Sequence, residues 1–137
     1  MKVPVVAAIA MVLWSSAASA CECRAFDDKS FPMERYGRIF SGTVLDVEAT
    51  PVPARGGEAS VKAVRLSPER TWRGAVPQPI RVYTGLGGAD CGFKFEPGRR
   101  YLVFTESDSW IPGVQFVSRC GPTRPLEAAA GLLKRLN

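Results

Sequence analysis

The sequence predicts a mainly β protein, a small closed barrel of five short strands with helical segments beside it and a helix at the C-terminus. Three observations lead there. Stretches of period-two alternation, rich in Val, Ile, Phe and Thr, recur after Arg38. Turn signals built on Gly and Pro separate them. Beyond Leu126 the apolar period lengthens to that of a helix face.

Taken in order, Phe31 to Gly37 suits a short helical turn before the first strand. Arg38 to Val47 forms that strand, kinked or bulged at Gly42. Glu48 to Ser60 holds two prolines and Gly56-Gly57 and is expected as an exposed loop. Val61 to Leu66, extending toward Trp72, is the second strand, closed by Arg73-Gly74. Pro79 to Thr84 is the third, with Ile80 and Val82 on one side and Arg81 and Tyr83 on the other. Gly85 to Gly92 is a glycine-rich loop, and no phosphate-binding or dinucleotide pattern surrounds it. The turn Pro97-Gly98 leads into a fourth strand, Arg99 to Thr105, and Val114 to Cys120 makes the fifth. Leu126, Ala129, Ala130, Leu133 and Leu136 then share one helix face. Thr123 is the expected N-cap; Glu127 in the first turn and Lys134 and Arg135 in the last complement the macrodipole. Trp72, Phe93, Phe95, Tyr101, Phe104 and Phe116 are expected to pack the core or the barrel ends.

The first twenty residues read as a secretory signal. Lys2 supplies the positive start, Val5 to Trp14 the apolar run, and Ala18-Ser19-Ala20 the cleavage site. Removing 20 of 137 residues leaves one domain, residues 21–137, that is expected to be secreted or periplasmic. A lipoprotein anchored through Cys21 is the lesser alternative, because acylation of its sulfur would leave an odd number of thiols. No other apolar run approaches the roughly 18 residues that a membrane span needs. The chain contains no histidine, which excludes Ser-His-Asp and Cys-His catalysis, His-ligated metals and imidazole acid/base chemistry. The expectation is therefore a monomer that is not an enzyme and has no cofactor of its own. Nucleic acid is not an expected partner outside the cytoplasm.

Cys21, Cys23, Cys91 and Cys120 form an even set in an exported chain and read as two disulfides. Three pairings exist; Cys21 with Cys23 would close a very tight ring and is set aside. Either of the others ties the mature N-terminus to two distant points. Cleavage after Ala20 would give Cys21 the free α-amine.

These features together resemble a known family. Cys21-Glu22-Cys23 follows the signal directly. Thr71-Trp72-Arg73-Gly74, Val82-Tyr83-Thr84-Gly85, Cys91-Gly92, Glu96-Pro97-Gly98, Arg100-Tyr101-Leu102-Val103 and Ser118-Arg119-Cys120 then appear in turn. The chain is similar over residues 21 to 126 to the N-terminal, netrin-like domain of the tissue inhibitors of metalloproteinases, in a short, microbial-type form. The resemblance implies a five-stranded OB-type barrel and the pairings Cys21–Cys91 and Cys23–Cys120. It also implies a mechanism, in which the Cys21 amine and carbonyl chelate the catalytic zinc of a target protease. Such a zinc keeps one position open for water or substrate. An α-amine, with a pKa of about 7.7 to 8.0, yields its proton to zinc more readily than a lysine near 10.4. The inhibitory wedge would comprise Cys21, Glu22, Cys23 and Arg24, with Ala89 and Asp90 of the adjacent loop.

Glu22 departs from the family, whose animal members usually place Ser or Thr there, facing an apolar specificity pocket. An unpaired carboxylate in such a pocket costs several kcal/mol, which disfavours the animal matrix enzymes as targets. The further disulfides and C-terminal subdomain of those members are also lacking. A second reading is a non-inhibitory binding module of the cell envelope contacting proteins or anionic glycans. Arg99, Arg100, Arg119, Arg124, Lys134 and Arg135 would then line up as an anion-binding face.

Overall fold

The computed structural model describes residues 21–24 and 27–137; the expected signal segment lies outside the described residues. The strands are β1 (Arg38–Ala54), β2 (Gly57–Arg73), β3 (Ile80–Thr84), β4 (Arg100–Ser107), β5 (Gln115–Phe116) and β6 (Arg124–Pro125). They form one sheet in the order β1-β2-β3-β5-β4-β6, and a further pairing of β1 with β4 closes the first five into a ring. All pairings are antiparallel except β3 with β5. The protein is thus mainly β, with a closed ring of five strands and a C-terminal helix, α1 (Ala130–Leu136).

The period-two alternation of β1 and β4 serves two layers. Phe40, Val44, Tyr101 and Val103 point into the ring, where Val64, Leu66, Ile80, Val82 and Val117 join them. The alternate residues Ile39, Leu102 and Phe104 point outward, onto Phe31, Tyr36, Ala129 and Leu132. Each large side chain so buried contributes about 1.5–3 kcal/mol. Phe31, Tyr36 and Phe104 meet edge to face, with centroids 5.3–5.9 Å apart. A turn of 3-10 helix, Met33–Arg35, occupies the expected helical stretch.

Gly42 lies at the expected irregularity. The β1–β2 register shifts between Ser41 and Gly42, and a Cβ on Gly42 would stand 2.8 Å from the Ser67 carbonyl oxygen. The loop expected over Glu48 to Ser60 is instead the outer half of a long hairpin. Pairing continues to Ala54 opposite Gly57, leaving a tight turn at Arg55-Gly56 with Gly56 at φ +83°. Pro51 and Pro53 fit because β4 pairs with β1 only as far as Thr43. The outer part of β1 has one strand neighbour among the described residues, and positions two apart direct their missing N–H groups to the same open edge. Val52 between them turns inward onto Val61 and Ile111.

The fifth strand is shorter than Val114 to Cys120. Its ladder is confined to Gln115–Phe116, with a separate bridge from Gly92 to Ser118. Thr123 caps no helix: it is buried, and its hydroxyl accepts from the Phe104 amide at 2.9 Å. The chain then adds β6 to the edge of β4, makes a 3-10 turn, Leu126–Ala128, and enters α1 late. The buried seam of this segment is Ala129 and Leu132, with Leu126, Leu133 and Leu136 partly covered. Ala130 of the expected face is exposed. The shift follows from the late helix start, which rotates Leu132 onto the sheet.

Candidate functional site

Two disulfides fasten the segment that begins at Cys21. Cys21 is bonded to Cys91, with Cα atoms 5.3 Å apart, and Cys23 to Cys120, at 5.0 Å. The bridges touch, since Cys21 Sγ lies 3.8 Å from Cys120 Sγ; disulfide sulfurs carry no hydrogen, so this is a packing contact. Cys21 is buried, whereas Glu22, Cys23 and Arg24 are exposed. Glu22 is therefore held between two anchored neighbours and faces solvent. The sulfurs of Cys21, Cys91 and Cys120 cluster within 4.8 Å, but all belong to bridges and none is a thiolate that could ligate a metal.

The distal half-cystines lie on two segments, Cys91 at the end of the loop after β3 and Cys120 beyond β5. Alternation along β3 places Thr84 inside with Ile80 and Val82. Its buried hydroxyl donates to the Val117 carbonyl at 2.6 Å and accepts from the Phe93 amide at 2.7 Å. The Arg119 amide donates to the Cys91 carbonyl at 2.9 Å, and Gly92 pairs with Ser118. Cys91 and Cys120 are thereby brought to neighbouring segments, side by side under residues 21 and 23. Gly92 is required at the crossing, because a Cβ there would stand 2.3 Å from the Gly85 carbonyl oxygen.

Ala89 and Asp90 lie in a short 3-10 turn, Gly88–Asp90, on the exposed side of this loop. Ala89 is open to a partner. The Asp90 carboxylate instead closes the loop on itself, accepting from the amides of Leu86 at 2.6 Å, Gly87 at 2.9 Å and Gly92 at 3.2 Å. Desolvation raises its pKa, but these amides together outweigh that and leave it below the ordinary carboxylate value. Sequence alone did not suggest this role for Asp90, nor the bonding of Thr84.

On the other side of residues 22–24 a groove of about 440 Å³ separates them from Ser30, Pro32, Arg35 and Tyr36. One ion pair lies in its lining and a second lies next to it in sequence, at Asp28. Arg35 meets Glu106 at 3.0 Å, and Arg124 grips Asp28 with two bonds of 2.8 Å. Asp27 accepts from the Ser30 hydroxyl and the Lys29 amide, which hold its carboxyl below the usual range.

Four of the six cations proposed from sequence as an anion-binding face are engaged by other groups of the protein. Arg99 is paired with Glu96 and Glu127, Arg100 with Glu69, and Arg124 with Asp28. Arg135 donates to backbone carbonyls of Asp28 and Phe31 and lies over the Phe31 ring. These cations are thus taken up within the protein, and the last two fasten residues 28–31. Arg119, whose amide donates to the Cys91 carbonyl, and Lys134 form no ion pair among the described residues.

Neither protein-family models nor curated proteins provide a match for this chain. Among the described residues no helix is long and apolar enough to cross a membrane.

Proposed function

We propose that this chain, once cut after Ala20, is a secreted or periplasmic inhibitor of a zinc metalloprotease, in the manner of the tissue inhibitors of metalloproteinases. The observation that carries the reading is the pair of touching bridges on either side of Glu22. They anchor the residues that would enter a protease cleft, so little conformational freedom is lost on binding. Cleavage would leave the Cys21 amine beside its own carbonyl, an N,O pair suited to the open coordination position of a catalytic zinc. Glu22 would enter the adjoining specificity pocket, which favours a target whose pocket carries a cation or hydrogen-bond donors.

The test is a panel of zinc metalloproteases assayed with residues 21–137 and with the same protein carrying one alanine before Cys21. The added residue removes the amine from chelating distance. Inhibition by the first protein and its loss in the second, with both folded, is the expected outcome. Equal inhibition by both would overturn chelation. The glycan-binding alternative has less support, since Arg99, Arg100 and Arg124 already have carboxylate partners.

A further inference from the structure

We propose that a second groove, beside the Cys91 loop, binds an acidic segment of a partner protein. The groove has a volume of about 270 Å³, and its walls include Lys62, Lys94 and Arg119 together with Leu86 and Phe93. Among the described residues no carboxylate lines it. Among the described residues none of the three cations forms an ion pair, in contrast to Arg35, Arg65, Arg99, Arg100 and Arg124. Asp90, in the adjoining loop, has its carboxylate turned onto the Leu86, Gly87 and Gly92 amides.

Three elements bring the cations together. Lys62 sits on β2 opposite Thr84 of β3, Lys94 follows the loop, and Arg119 donates its amide to Cys91. Leu86, 45% exposed, adds an apolar wall at the same place. A short cavity with clustered positive charge and one exposed leucine matches one or two acidic side chains next to an apolar one. It does not match an extended sulfated glycan, which needs a longer basic track. The proposal goes beyond zinc chelation and does not depend on it.

The probe is a capped peptide, acetyl-Ala-Leu-Asp-Glu-Leu-Ala-amide, titrated at low salt into ¹⁵N-labelled residues 21–137. Controls are its Asn-Gln counterpart and inorganic sulfate. The acidic peptide is expected to move the amide resonances of Lys62, Leu86, Lys94 and Arg119, and the neutral one is not. Lys94→Glu with Arg119→Glu should weaken binding about tenfold or more, as favourable contacts become repulsive. Lys94→Gln with Arg119→Gln, which adds no like charge, should weaken it less and guards against a folding defect. The protein with an alanine before Cys21 should still bind, so this site and the chelating amine fail separately. No resonance shift, equal shifts with sulfate, or unchanged binding by the folded variants would each overturn the proposal.

Discussion

The carboxylate of Asp90 lies directly against the backbone of Gly85, so closely that a Cβ on Gly85 would stand 2.4 Å from Asp90 Cγ. The missing side chain at Gly85 is what admits the carboxylate to the amides of Leu86, Gly87 and Gly92. Asp90→Ala is expected to lower stability by about 1 kcal/mol and to speed hydrogen exchange at those amides. The Asp90 pKa lies below its ordinary 3.8 in the folded protein. Its stabilisation is therefore present above that value and is lost as pH falls through the lower, folded-state value. Urea unfolding of both proteins should differ at pH 7 and converge in acid; a gap independent of pH would contradict a charge-based role.

Thr84→Val keeps the shape of a buried side chain and removes its hydroxyl. The Phe93 amide and Val117 carbonyl each lose a partner, at an expected cost of about 1–3 kcal/mol. Thr84→Ser should recover most of it. If the valine variant unfolds at the same urea concentration as the parent, the hydroxyl is not what joins β3 to the segments bearing Cys91 and Cys120.

Replacing Cys23 and Cys120 together by serine removes the bridge that spans 97 residues. The expected loss of stability is about 2–5 kcal/mol, with the strand content retained in far-ultraviolet circular dichroism. Protease inhibition should weaken further than stability alone explains, because residues 22–24 must then be ordered on binding. Unchanged inhibition by the folded variant would show that the second bridge does not preorganise the segment.

Glu22 is exposed between the two bridged cysteines. Glu22→Ala should therefore shift stability by less than about 0.5 kcal/mol while changing which metalloproteases are inhibited. An identical inhibition profile across the panel would remove Glu22 from the contact.

Local chemistry made much of the fold legible. Alternation in Ile80-Arg81-Val82-Tyr83 identifies β3, Pro97-Gly98 marks the turn before β4, and Gly42 marks the irregularity in β1. The outer hairpin was hidden because Pro51, Pro53 and Gly57 signal a loop wherever both strand edges are paired. Here β4 leaves one edge of β1 open after Thr43, and two prolines at one register fit it. Helix α1 was legible as a helix but not in its start, because Thr123 takes its hydrogen bonds from β4 instead of capping the next turn.

By itself the sequence determined the chemistry that is possible: no imidazole, an even set of cysteines in two pairs, and a carboxylate between the first two. Which cysteines pair was decided by the tertiary structure, which brings Cys21 against Cys91 and Cys23 against Cys120. So was the fate of the charges. An arginine's role depends on whether an acid from a distant element reaches it, as Glu69 reaches Arg100 and no carboxylate reaches Arg119 among the described residues. Composition counts these residues, but only the packing of strands and loops sets the few ångströms over which a charge is either paired or left for a partner.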